Sequence, residues 1–185
     1  ERDPELDALE ESIKRRIVLL LALRQPMAQD LRSVLAALKI SSDLERIGDL
    51  SKNISRRVSE LSPMHDLSVV KGIGRMGRAV AQQLQAVLDA HTNNDVDAAL
   101  QVWSSDEDID QFYNSLFRET LTYMIEDPRR IGAGAHLMFI AKNLERIGDH
   151  CTNIAEEIYY RSTGETLLSA ERPKAKLLTA DDEAQ

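Results

Sequence analysis

The sequence predicts an all-α fold built as a tandem repeat of one helical unit. Apolar residues recur at spacings of three and four through most of the chain, which is the pattern of packed amphipathic helices. Almost none of the chain shows the alternation typical of a strand. The sextet Leu-Glu-Arg-Ile-Gly-Asp occurs at residues 44–49 and again at 144–149. Such an internal duplication indicates a repeated structural unit.

Helix breakers divide the chain into five predicted helices. Pro26 suits the first turn of the second helix, which stops before Pro63. Asp127 and Pro128 supply a cap and a first-turn proline for the last helix, and Gly164 ends it. The predicted helices span residues 3–24, 26–61, 67–92, 96–125 and 129–162.

The two repeats are predicted to differ in helix number. The second repeat, residues 63–164, holds three helices and forms a three-helix bundle. The first, residues 1–62, holds two, so its bundle lacks the first helix, either because the chain begins late or because another chain covers that face. The sequence starts at Glu1 without a methionine, which indicates a fragment or a processed form. Residues 165–185 read as a charged, flexible tail.

Composition narrows the function classes. A net charge of −8 argues against a nucleic-acid-binding protein. The only cysteine, Cys151, occupies the same apolar-seam position as Ser51, which predicts a small core residue in a reducing compartment. The longest apolar run, residues 17–23, is far shorter than the ~20 residues that span a bilayer, and it continues a helical pattern. The run therefore predicts core packing.

Acidic residues form the most informative pattern. In each repeat a Glu, an Asp and an Asn stand four residues apart, on one outward-facing row of the helix. Like charges at this spacing cost a helix about 0.2–0.5 kcal/mol per pair, and a bound cation would remove that cost. The preceding helices carry further i, i+4 acidic pairs. The full set is Asp3, Asp7, Glu45 and Asp49 with Asn53 as a secondary candidate, and Asp106, Asp110, Glu145 and Asp149 with Asn153 as a secondary candidate.

Counting along each helical hairpin from its turn tests whether these acids meet. At ~1.5 Å per residue, each acidic pair lies within about one residue of its counterpart's height. Each hairpin is therefore predicted to gather four carboxylates, an oxygen-only ligand set that suits hard or borderline cations. A solvated polar face is the alternative. A ferritin-like di-iron centre is disfavoured because Gly148 stands where its Glu-x-x-His motif needs histidine.

Other motifs predict less. The G-x-G-x-x-G match at residues 72–77 needs a βαβ unit, which is not evident, so we reject a dinucleotide site. No nucleophile–base arrangement or phosphate-cradling loop is visible. The remaining candidates are isolated. His65, His91 and His136 read as structural or surface residues, and His150, next to Asp149, could supplement the second site as a minor alternative to such a role. Arg129 and Arg130 read as surface residues or as contacts to a partner or an anion.

These residues resemble the PhoU family of accessory regulators of bacterial phosphate uptake. The duplicated sextet with its following asparagine carries the likeness, together with the acidic pairs, residues 25–32 and the Asp-Pro-Arg at 127–129. It covers residues 3–162. The family fold is two three-helix bundles in tandem, from which this chain departs by lacking the first helix. The family's E(D)-x-x-x-D metal motif falls on Asp3/Asp7, Glu45/Asp49, Asp106/Asp110 and Glu145/Asp149.

The resemblance also implies a function. It implies a non-enzymatic cytoplasmic protein that couples the phosphate-specific ABC transporter, through its ATPase, to the sensor histidine kinase of the phosphate regulon as a negative regulator. It implies a homodimer that reaches the membrane only through its partners. It also implies bound Fe, Mn, Mg, Zn or Ca, which could form multinuclear clusters. Alternatives are a helical metal-storage or metal-dependent hydrolytic protein, and a PhoU-like accessory domain of another phosphate transporter.

Overall fold

The computed structural model describes residues 3–61 and 68–167, which form six α-helices and one 3-10 turn, with no strand among them. The all-α prediction is confirmed. Residues 62–66, which the sequence predicts to link the second and third helices, and the tail beyond residue 167 lie outside the described residues. The helices are α1 (Asp3–Arg24), α2 (Ala28–Glu60), α3 (Ser68–Asn93), α4 (Val96–Ser104), α5 (Asp106–Glu126) and α6 (Ile131–Thr163), with the 3-10 turn at Pro128–Arg130 before α6.

The prediction of one continuous helix over 96–125 was wrong, because the chain breaks between α4 and α5 at Ser105. The hydroxyl of Ser104 donates to the carbonyl of Gln101, and the hydroxyl of Ser105 donates to that of Val102. Serine side chains that bond back to the preceding turn compete with the helical backbone and bend it. Two adjacent serines thus give a physical reason for the break.

Helix ends follow the sequence signals in part. The Asp127 carboxylate accepts the Arg129 backbone N–H, and Gly164 has a left-handed φ of 80°, so the cap and the stop signal are confirmed. The placement of Pro26 in a first helical turn was wrong. Gln25 and Ala28 have φ of 45° and 48°, and α2 starts only at Ala28. Likewise α6 begins at Ile131, after the 3-10 turn.

Helices α2 and α6, which carry the two sextets, pack antiparallel against each other. Lys39 Nζ lies 2.5 Å from Glu157 Oε1, and the Arg57 guanidinium lies 4.1 Å from the centre of the Phe139 ring. In the repeat, Lys39 corresponds to Phe139 and Arg57 to Glu157. The two contacts are therefore equivalents exchanged by an approximate two-fold rotation that relates the helices.

The buried seams of the two repeats differ. On α6 the apolar residues spaced by three and four are all buried, and Cys151 is fully buried as predicted. They are Ile140, Leu144, Ile147, Cys151, Ile154 and Ile158. On α2, Ile40 and Ile47 are buried, but Ser51 is exposed and Val58 is 53% exposed. Ser51 and Cys151 share a seam position in the sequence, but only the second repeat buries it. The reason is coverage: α3, α4 and α5 all pack on α6, whereas the described helices that pack on α2 are α1 and α6.

Helix α1 shows the same effect. Among the described elements it packs against α2 alone, and Ile17 is its one buried apolar side chain. The prediction that the apolar run 17–23 packs in the core was wrong for most of the run, since Val18, Leu20 and Leu23 are 65%, 40% and 77% exposed. None of the described helices is both long enough and apolar enough to cross a membrane.

Candidate metal centre

Three carboxylates converge between α5 and α6 in the second repeat. Asp110 comes from α5, and Glu145 and Asp149 come from consecutive turns of α6; their carboxylate oxygens lie within 4.8 Å of one another. Among the residues whose side chains the structure describes, this is the one group of three potential His, Cys, Asp or Glu ligands at such spacing. We refer to these three residues as the second-repeat cluster. Its oxygens are suited to a hard cation such as Mg²⁺, Mn²⁺ or Ca²⁺.

A glycine brings the two helices close enough for this cluster to form. A Cβ at Gly148 would lie 3.3 Å from Ile109 Cγ2 and 3.3 Å from Gln83 Oε1. Ile109 of α5 thus packs directly onto the α6 backbone, and its chain neighbour Asp110 is carried to the position opposite Asp149. The glycine within the sextet therefore has a structural role that supports the acidic pair around it.

Lysine supplies the positive charge at the second-repeat cluster. Lys142 Nζ lies 2.6 Å from Glu145 Oε1 and 5.1 Å from the centre of the Tyr113 ring. The hydrogen bond to Glu145 and the charges of Glu145 and Asp149 raise the pKa of Lys142, against the lowering effect of burial. The second oxygen of the same carboxylate, Glu145 Oε2, is buried without a hydrogen-bond partner. A buried acceptor left unpaired is costly, and a cation bound there would satisfy it.

Acids also gather in the first repeat, with different neighbours. Burial raises the pKa of Glu45, Arg46 lowers it, and the negative charges of Asp49, Glu10 and Asp7 raise it further. The acids of α1 therefore face those of α2. Their oxygens do not reach the three-way convergence of the second-repeat cluster among the described residues.

The remaining predicted ligands are placed as follows. Asp3 and Asp106 lie in the first turns of α1 and α5, and the positions of their side chains lie outside the description. Asn53 is half-buried on α2. The Asn153 amide donates to Asp43 Oδ1 over 3.4 Å, which directs it towards α2. As metal ligands, these residues stay predictions.

Two expectations were wrong. His150 does not join the second-repeat cluster, because its Nδ1 lies 2.8 Å from Asp43 Oδ1 on α2. The rows were also expected to point outward, which is correct for the exposed Asp149 and Asn153. The expectation was wrong for Glu45 and Glu145, whose side chains are only 18% and 12% exposed. In each case the neighbouring helix covers the position, and periodicity along one helix does not reveal a neighbour.

Sequence reasoning missed several residues at these sites. Lys142 stands three residues before Glu145, so helical spacing was an available signal for their pairing. Glu10 stands three residues after Asp7 in the same way, and its carboxylate lies 2.7 Å from Lys14 Nζ. The contact between Asp43 and His150 joins different repeats and has no local signal.

The other candidates have structural surroundings. Arg129 and Arg130 both lie beside the Asp127 carboxylate, at 2.9 and 3.4 Å, and so stabilise the turn before α6. His136 Nδ1 lies 3.7 Å from Glu60 Oε2 across the α2–α6 interface. The G-x-G-x-x-G match lies inside α3, as its rejection requires. His65 lies outside the described residues.

Known proteins resemble this chain over both repeats. The family model described as "PhoU domain" matches residues 1–58 and 73–158, one match for each repeat. A phosphate-specific transport system accessory protein PhoU homolog of Caulobacter vibrioides is 54% identical over 180 residues, 96% of this chain and 77% of the relative. The protein of the same description from Zymomonas mobilis is 48% identical over 182 residues, 98% of this chain and 76% of the relative.

Solved structures agree with the fold. The crystal structure of PhoU from Pseudomonas aeruginosa superposes with a TM-score of 0.80 at 38% identity, covering 89% of this chain and 79% of that one. That of the phosphate transport system regulatory protein PhoU from Streptococcus pneumoniae gives 0.82 at 30% identity, with coverage of 90% and 78%. With both sextets inside the matched ranges, the chain belongs to the PhoU family.

Proposed function

We propose that this protein is a non-enzymatic accessory regulator of phosphate uptake. It acts as a negative regulator that couples the phosphate-specific ABC transporter ATPase to the sensor histidine kinase of the phosphate regulon, on the cytoplasmic side of the membrane. One observation carries the proposal: 54% identity over 96% of the chain to a phosphate-specific transport system accessory protein. Such identity makes a shared partner set the simplest expectation.

We further propose that the acidic clusters bind metal ions. Asp110, Glu145 and Asp149, together with Asp106, would hold the ion in the second repeat, and Asp3, Asp7, Glu45 and Asp49 would hold one in the first. The orphaned Glu145 Oε2 and the proximity of three carboxylates support the second site. The bound ion would supply positive charge that relieves repulsion between the carboxylates and joins α5 to α6.

A pull-down tests the regulatory part. The full chain is immobilised and offered the transporter ATPase and the cytoplasmic domain of the sensor kinase, each at high and at low phosphate. Phosphate-dependent capture of both proteins is expected. Capture of neither in either condition would contradict the coupling role. Capture of a different phosphate carrier would favour the alternative of an accessory domain for another transporter.

Elemental analysis tests the metal part. Protein purified without chelator is compared with the Asp149→Asn variant and with Asp108→Asn, a matched control on the exposed face of α5. Loss of metal is expected in Asp149→Asn and not in Asp108→Asn. Equal metal content in all three would refute the second-repeat site. A phosphatase assay with added Mn²⁺ or Mg²⁺ separates this proposal from a metal-dependent hydrolase, which would show turnover.

A further inference from the structure

A polar pocket that includes none of the acidic residues lies where the two repeats meet. It has a volume of ≈ 430 Å³ and is formed by the first turns of α2 and the last turns of α3 and α6. Every lining side chain is polar and none is a carboxylate. They include Gln29 and Ser33 of α2, His91 and Asn94 at the end of α3, and Arg161 and Ser162 of α6.

Positive charge concentrates at this pocket although the protein has a net charge of −8. Arg161 Nη2 donates to Asn94 Oδ1 over 2.5 Å and, within the described chain, pairs with no carboxylate. Beside the pocket, the Arg32 guanidinium crosses from α2 to Gly164, where its Cζ would lie 3.4 Å from a Cβ. Its Nε is buried without a hydrogen-bond partner. Within residues 3–61 and 68–167, neither Arg161 in the pocket nor Arg32 beside Gly164 pairs with a carboxylate.

Unsatisfied polar atoms mark the same place. His91 Nδ1 and Ser162 Oγ, both from lining residues, are buried without a partner, as is Arg32 Nε. Buried polar atoms in native proteins are nearly always paired, and an unpaired one carries a free-energy cost. Basic residues at the C-terminal ends of α3 and α6 interact favourably with the helix dipoles. That interaction still leaves these three atoms without a hydrogen-bond partner. A hydrogen-bonding ligand in the pocket would pair them.

We propose that this pocket binds a small oxoanion, either a free one or the phosphate group of a phosphorylated small molecule. Guanidinium groups match the geometry of such anions with two parallel hydrogen bonds. Ser162 Oγ supplies a further donor and His91 Nδ1 a donor in the appropriate tautomer. Gln29 and Ser33 belong to the first repeat and Arg161 to the second, so a bound anion bridges the repeats. The inference is independent of the metal sites and of the regulatory function.

Titration of the full, isotope-labelled, metal-free chain by NMR tests the proposal. The probes are inorganic phosphate, sulfate and glycerol 3-phosphate, with sodium chloride at matched ionic strength as the reference. Saturable shifts at Arg161, Asn94 and His91 are expected with at least one oxoanion. Tighter binding of glycerol 3-phosphate would identify a phosphorylated ligand, and equal or tighter binding of inorganic phosphate or sulfate would identify a free oxoanion.

Variants decide whether the pocket is responsible. Arg161→Gln is expected to raise the dissociation constant about tenfold. The control variant Arg118→Gln, which replaces an exposed arginine on α5, should leave the constant unchanged. If Arg161→Gln lowers the unfolding temperature, Ser162→Ala removes only a hydroxyl and is expected to weaken binding about threefold. The proposal is overturned by shifts that are absent, non-saturating or reproduced by chloride. Undiminished binding in both pocket variants would overturn it as well.

Discussion

The two repeats carry the same sextet on helices of equal length, yet the surroundings of these helices differ. Helix α6 is covered by α3, α4 and α5 as well as α2, whereas α2 is covered by α1 and α6 among the described helices. Ile158 is fully buried and its counterpart Val58 is 53% exposed. Identical local sequence therefore gives a three-carboxylate convergence in one repeat and a looser gathering in the other. Packing by a third helix is the difference.

The test with the largest expected effect replaces a matched seam residue of each repeat by alanine. Ile158→Ala should lower the free energy of unfolding by about 2–5 kcal/mol, because the cavity forms inside a covered core. Val58→Ala should change it by less than about 0.5 kcal/mol, because an exposed side chain loses little. Urea unfolding measures both. Equal losses would show that α2 is covered as completely as α6 in solution.

Matched glycines give the next test. A Cβ at Gly48 would meet Leu6 Cδ2, the end of a flexible side chain on a helix packed along one face. Gly48→Ala should therefore be neutral or stabilising by up to about 1 kcal/mol through helix propensity. At Gly148 the Cβ would meet the β-branched, buried Ile109 at 3.3 Å. A net loss of about 1 kcal/mol is expected there, since crowding exceeds the propensity gain. Thermal unfolding distinguishes the two signs.

The lysine beside the second-repeat cluster, which the first repeat lacks, provides a third test of the difference between the repeats. Lys142 holds Glu145, whereas the equivalent position in the first repeat is Ser42. If the second-repeat cluster binds metal, Lys142→Met should tighten Mn²⁺ binding about threefold, because the competing ion pair is half-exposed and worth at most about 1 kcal/mol. Calorimetric titration measures the constant. Weaker binding in the variant would mean that Lys142 supports the ion rather than competes with it.

The smallest expected effect is a pH dependence in the first repeat. Because the folded-state pKa of Glu45 is raised, chiefly by burial, its contribution to stability is fully present below the unfolded pKa of about 4.3. That contribution is lost as pH rises through the raised folded-state pKa. Glu45→Gln removes this loss, so the variant should gain stability over the wild type between acidic and neutral pH. Urea midpoints of metal-free protein measure it.

Glu5→Gln, on the exposed part of α1, is the control for that measurement. A constant difference between Glu45→Gln and the wild type across the pH range would argue that Glu45 is better solvated than its position between α1 and α2 indicates. A difference that shrinks as pH rises would contradict the sign of the shift itself.

Much of the fold and part of the site were accessible from sequence. Apolar periodicity and the signals at Asp127 and Gly164 placed the helices to within a few residues, because these signals are local. The antiparallel hairpin geometry brought Asp110 opposite Glu145 and Asp149 by counting alone. The break at Ser105 was missed because side-chain bonds of Ser104 and Ser105 compete with a helical pattern that otherwise continues.

By itself, the sequence determined an all-α chain, its duplication, the family and the helix faces that bear acids, since each depends on spacing along one helix. Tertiary structure alone decided that a Glu145 oxygen in the second-repeat cluster is buried without a partner and that His150 turns to Asp43. It also decided that Arg161 lines one pocket with Gln29 of the first repeat. These contacts depend on which helices cover one another. Coverage is a property of the whole packed chain, and two copies of one sextet cannot specify it.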